Sequence, residues 1–196
     1  MLKKLIQNKA AIHTRDISLA THPHPDSGII VHGVLKDQRK TAIFDVTGAL
    51  LEPGIIHHME VTLLIISDPL RIKDAEADMI HVPTPECRTT LDTIEKLKGL
   101  EIRSGFSKNI RRIMGGKAGC THLSQLVLAM GQEIVHGWLS HKRKEYSPAP
   151  KDFEHFNEKQ FLIDSCRMWT KTGPKMKNLE KAMKNGSPGQ NKSSAC

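Results

Sequence analysis

The chain has 196 residues, of which 38% are apolar and 26% charged, and its formal net charge is +8 at pH 7. This length and balance fit one well-buried domain and exclude a disordered chain. No run reaches the roughly 18 apolar residues of a membrane helix, and MLKKLIQNKAAIHTR lacks the apolar core and cleavage site of a secretory signal, so a cytoplasmic protein with no membrane partner is expected.

Two β-prone runs, residues 12–19 and 29–35, flank His22-Pro23-His24-Pro25-Asp26-Ser27-Gly28, whose prolines and glycine suit a wide hairpin connection. Residues 57–67 form the clearest strand, with Met59, Val61, Leu63 and Ile65 on one face. Asp68-Pro69 signals a turn, and residues 70–82 again read as extended. An antiparallel N-terminal sheet of three to five strands follows.

Beyond Pro83-Thr84-Pro85 the period becomes helical. A helix over residues 86–98 stops at Gly99, and a basic helix over 104–114 ends at Gly115-Gly116. The strongest spans 121–141, where Leu123, Leu126, Val127, Met130, Ile134 and Trp138 make one apolar stripe that must pack on the sheet. A last helix is predicted over 157–169, after a linker at 146–150. The fold class is therefore α+β, with the sheet packed against three to four C-terminal helices. Residues 1–170 read as a single domain, and 171–196 as a basic tail expected to be mobile, which would leave Cys196 without a fixed setting.

The densest chemistry is Gly119-Cys120-Thr121-His122, where free backbone N–H groups and the positive end of the helix dipole converge. With Thr121 as N-cap, the sulfur of Cys120 would project beside the His122 imidazole. A thiol and an imidazole together suit nucleophilic attack or coordination of a transition metal such as zinc or iron. Further ligands are available at Cys87 and at His57-His58. Adjacent strand residues face opposite sides, so only one of the two histidines can join such a site. Asp37 or Asp74 would orient the imidazoles.

The first reading is thus a thiol/imidazole site of Cys87, Cys120, His122 and His57 or His58 that binds a metal or handles sulfur. A second is a metal-independent enzyme in which Cys120 or His122 acts on a small anionic molecule held by Arg111, Arg112 and Lys117 near the helix start. A basic binding module without chemistry is the third. Only eight aromatic residues occur and none interleaves with the basic run, so nucleic acid is not an expected partner. Gly115-Gly116-Lys117-Ala118-Gly119 lacks the ending of a phosphate loop. Nothing in the pattern sets an oligomeric state.

Several motifs occur in a recognisable order: His13-Thr14-Arg15, Gly33-x-x-x-Asp37, Gly54-x-x-His57-His58-Met59 and Pro85-x-Cys87. Leu97-x-Gly99, Gly105-Phe106, Gly115-Gly116, Gly119-Cys120-Thr121-His122-Leu123 and Cys166-x-x-Trp169 follow. In this order they resemble a bacterial family catalogued only as a domain of unknown function, number 2889. That resemblance implies no particular reaction. A more distant likeness is to iron-sulfur scaffold proteins of the NifU type, which also run from an antiparallel sheet into helices. It implies that Cys87 and Cys120 correspond to two of the cluster-binding cysteines.

Overall fold

The computed structural model describes residues 2–185 apart from Ser27, Asp68 and Ser147. The turn at Asp68-Pro69 and the linker through Ser147 are thus only partly covered, and Cys196 lies outside the described residues. After one helical turn, α1 (Leu2–Leu5), come β1 (His13–Pro23), β2 (Ile29–Arg39), β3 (Ile43–Phe44), β4 (Leu50–Leu51), β5 (Gly54–Ile66) and β6 (Arg71–His81). β1, β2, β5 and β6 form one antiparallel sheet in that order, and β3 pairs only with β4, as a hairpin inserted between β2 and β5. The chain then continues through α2 (Asp92–Glu95), α3 (Phe106–Met114), α4 (Thr121–Lys142), α5 (Lys159–Leu162) and α6 (Pro174–Asn185). This is the α+β arrangement expected. No helix among the described residues is long and apolar enough to cross a membrane.

Strand alternation places the core. Ile29, Val31 and Leu35 of β2, with Met59, Val61, Leu63 and Ile65 of β5, are fully buried on one face. Across that face lies α4, whose stripe Leu123, Leu126, Val127, Met130, Ile134 and Trp138 is buried throughout. The helix comes close because glycines let it. A Cβ on Gly33 would stand 3.0 Å from both Leu19 Cδ2 and Met130 Sδ, and one on Gly137 would run into the Thr21 side chain. Two polar ties fix α4 against β1: Arg15 Nη1 donates to Gln125 Oε1 at 2.6 Å, and the Thr21 hydroxyl to Glu133 Oε1 at 2.6 Å.

Three elements differ from expectation. The helix expected over 86–98 begins as a 3-10 turn, Pro85–Leu91, and only Asp92–Glu95 is α-helical. The hydroxyls of Thr89, Thr90 and Thr93 each donate to the carbonyl three residues back, at 2.7–2.8 Å, a local bonding that competes with the α-helical pattern. The helix expected over 157–169 is broken into α5 and a 3-10 turn, Arg167–Trp169. Asp164 between them takes a left-handed backbone with φ of 59°, which no right-handed helix accepts. Within the stretch read as a mobile tail, Pro174–Asn185 forms α6, and its Met176 is buried.

Substituting Gly33→Val tests the close approach of helix to sheet. Its side chain would displace Leu19, Leu126 and Met130, and the expected loss is about 1–3 kcal/mol in urea unfolding. An unchanged midpoint would mean that α4 does not rest so tightly on β2.

Candidate metal centre

The antiparallel register sets Arg15 of β1 opposite Asp37 of β2, and Asp37 opposite His57 of β5. The three form one row across adjacent strands. All three share the sheet face that α4 covers, since Asp37 continues the buried alternation of Val31 and Leu35, and His57 that of Met59 and Val61. Immediately beyond Asp37 the β2–β5 pairing slips by a bulge, which ends the regular ladder at this row. The first turn of α4 then carries His122 over the row, and Gln125 follows three residues later on the same helix face.

These side chains pack into one polar cluster. Asp37, whose side chain is 2% exposed, accepts a two-pronged contact from Arg15: Nε to Oδ1 at 2.5 Å and Nη2 to Oδ2 at 2.6 Å. His57 Nδ1 lies 3.1 Å from Asp37 Oδ2. An ionised carboxylate can only accept, so this contact puts the proton on Nδ1 and leaves the Nε2 lone pair free. His122 Nε2 stands 3.6 Å from the same oxygen, and its Nδ1 is 3.9 Å from Cys120 Sγ. The two imidazoles stack at 3.7 Å between centroids with 28° between planes. Asp37, His57 and His122 offer three ligand atoms within 4.8 Å of one another, a group that could hold a metal ion.

Their ionisation suits that role. Burial would raise the Asp37 carboxyl, but the Arg15 hydrogen bond and charge outweigh it and, helped by His57, hold it below the usual carboxylate range. Burial lowers His57 despite its Asp37 partner. His122 is lowered by burial and by the nearby positive charges of His57 and Arg15, against a smaller pull from Asp37. Both rings are therefore neutral near pH 7, the form in which imidazole binds a metal.

Of the residues expected from sequence, His122 and His57 enter the group. His58 projects to the opposite face of the sheet, where its Nε2 lies 3.7 Å from Glu60. Cys120 adopts the N-cap position itself, with an extended backbone and no side-chain cap bond, so Thr121 is the first helical residue and not the cap. Its sulfur backs His122 and contributes no ligand atom to the group. Cys87 sits half-buried in the 3-10 turn, 3.5 Å from the Thr84 hydroxyl, and also stays out of it. The convergence of Cys87 and Cys120 on one ligand group, which the likeness to iron-sulfur scaffolds implies, is thus not present among the described residues. Arg111, Arg112 and Lys117 are exposed, on the side of α3 and its following turn away from the buried Phe106, Ile110 and Met114. Asp74 pairs with Lys98 at 2.9 Å instead of with a histidine. Arg15, which the sequence shows only as part of the His13-Thr14-Arg15 motif, and Gln125 were not expected at the site. The available signal was parity, because Arg15, Asp37 and His57 are all odd positions on strands whose odd residues turn inward.

The family described as "Protein of unknown function (DUF2889)" matches residues 13–136, and the chain belongs to it. The match runs from the start of β1 well into α4 and so contains every residue of the cluster. No curated protein and no solved structure matches the chain.

A pH dependence follows for the metal-free protein. Both histidines titrate below their ordinary 6.5. Between the folded values and 6.5 the unfolded chain therefore binds more protons, and stability is lost as pH falls through that window. The depressed Asp37 carboxyl adds a further loss below its ordinary 3.8. Melting temperature is expected to fall from about pH 7 to about pH 5, with a shallower slope in the His57→Gln, His122→Gln double variant. An equal slope in both proteins would assign the effect to other groups.

Proposed function

We propose that this protein of the DUF2889 family binds a transition-metal ion, zinc or iron, through Asp37, His57 and His122. The observation that carries this reading is the convergence of three ligand atoms within 4.8 Å, from three separate elements, at a place where both imidazoles are neutral. Two nitrogens and one carboxylate oxygen suit either metal and leave coordination positions open for water or a substrate. Around the ligands, Arg15 orients Asp37 and the Cys120 sulfur faces the far nitrogen of His122, the kind of outer contacts that fix ligand geometry. Arg15 also sets a limit, because a cation must share Asp37 with a guanidinium. That weakens electrostatic attraction and favours an ion held mainly by nitrogen.

Elemental analysis of untagged protein, purified and then equilibrated with zinc or ferrous iron, tests the assignment. About one ion per chain is expected in the wild type and none in His57→Ala or His122→Ala. Cys120→Ser should retain the metal with affinity lowered roughly 10- to 100-fold. A wild-type protein that takes up neither metal sinks the reading.

One observation favours a second use of the same residues. The two nitrogens of His122 face Cys120 Sγ and Asp37 Oδ2, in the order thiol, imidazole, carboxylate. That order suits a thiol nucleophile with an oriented base acting on sulfur-containing or small anionic molecules. Under this reading the metal-free protein reacts with iodoacetamide at Cys120 faster than at Cys87 or Cys166, and His122→Ala removes the difference. Equal rates at the three cysteines would set it aside.

A further inference from the structure

The two edges of the main sheet differ. β6 forms one edge, and it is defended. Its pairing with β5 slips at His58/Met59 and again at Leu64/Ile65, and Asp74, Glu76 and Asp78 stand exposed along it. Residues 99–102 cover its start: the Ile72 N–H donates to the Leu100 carbonyl at 3.0 Å, and the Gly99 N–H to the Ile72 carbonyl at 2.8 Å. Bulges, charges and covering loops of this kind keep a sheet edge from pairing with other chains.

β1, the other edge, has no bulge and, among the described residues, no cover. It runs for 11 residues in unbroken register with β2, carries no lysine, and has its one proline at the last position. None of its residues is buried, and Ile17 is 37% exposed. The bonds at its two ends fix which backbone groups are free. In the same register, the Lys40 N–H donates to the Ile12 carbonyl at 2.9 Å and the His24 N–H to the Gly28 carbonyl at 3.0 Å, so the even-numbered residues of β1 exchange bonds with β2. The odd-numbered ones, His13, Arg15, Ile17, Leu19 and Thr21, therefore aim their N–H and C=O groups outward. No strand lies on that side among the described residues.

We propose that β1 pairs with β1 of a second copy, antiparallel about a two-fold axis, so that the two sheets join into one. A row of unpaired backbone groups is matched only by another extended strand, and this strand is its own complement. With Ser18 on the axis, every position from His13 to Pro23 finds a partner. Ile17 then bonds through its backbone with Leu19 of the other copy, and the two side chains cover each other, twice over. Arg15 lies opposite Thr21 of the other copy, whose hydroxyl holds Glu133 there, so a cation is brought toward a carboxylate on both sides of the axis. Asp16 meets Ala20 of the other copy, and no like charges face each other. Moving the axis to residue 16 would instead set Asp16 against its own counterpart, a destabilising pair. The pairing rests on the backbone of β1 and stands independently of the metal reading.

Sedimentation equilibrium of the full chain over a wide concentration range is the first test, and a dimer is expected. Ile17→Pro removes an outward N–H while leaving the bonds to β2 in place, and should raise the dissociation constant at least about tenfold. Cysteine cross-linking reads the register and remains informative if the proline variant fails to fold. Even-numbered residues form the non-hydrogen-bonded pairs between the copies, with Cα atoms roughly 4.5 Å apart, close enough for a disulfide. Ser18→Cys should therefore yield a covalent dimer on mild oxidation, above the wild-type background from the native cysteines. Thr14→Cys and Ala20→Cys, which face His22 and Asp16 of the other copy, should not. A wild type that stays monomeric at every concentration overturns the proposal. So does a dimer that Ser18→Cys fails to link, or one linked more readily through Thr14→Cys or Ala20→Cys.

Discussion

A buried carboxylate must be satisfied, and the satisfaction of Asp37 organises this molecule. Only 2% of its side chain is exposed, yet it is held in the charged form by two contacts from Arg15 and one from His57. Removing the partner of a fully buried charge costs on the order of 3–5 kcal/mol. The value is smaller here, because Arg15 remains 34% exposed and partly screened. Those partners come from the strands on either side of β2, so the requirement of one side chain ties three strands at a single register. A slip of one residue would turn Asp37 to the opposite face and leave Arg15 and His57 without their acceptor.

The same row accounts for the seating of α4. Arg15 reaches past Asp37 to Gln125, and Thr21 reaches Glu133, so β1 grips the helix at two places along its length. Between them Gly33 removes the side chain that would hold the helix off the sheet. Apolar packing alone would tolerate sliding along the stripe, whereas these directional bonds do not. His122 is thereby carried over His57, and the stacked rings follow from where the helix is pinned.

A cluster assembled in this way holds two neutral imidazoles and a carboxylate whose charge is already balanced by an arginine. Burial keeps the rings unprotonated, and the arginine keeps the carboxylate ionised, so each component is in the form that a metal ion would require. The same neutral rings would also serve a thiol, since Cys120 stands on the far side of His122. The two proposed uses share one imidazole, and they differ in which of its nitrogens would do the work.

Much of this was legible in the chain itself. Alternation through Met59, Val61, Leu63 and Ile65 marks a strand with one buried face, the 3.6-residue stripe from Leu123 to Trp138 marks α4, and the start of that helix carries His122, one of the three residues of the group. Strand geometry also requires that His57 and His58 part company, because neighbouring side chains on a strand point to opposite faces. Those signals are local, spanning residues a few positions apart. Only the tertiary structure decided that His57 is the inward one and that Asp37 and Arg15 stand beside it. It also decided that Cys87 contributes no ligand atom and that residues 43–51 fold into an apolar hairpin. Arg15 and Asp37 are 22 residues apart and Arg15 and Gln125 are 110 apart, and pairing across such separations is set by strand register and by where a helix is pinned. Neither leaves a periodicity in the sequence to read.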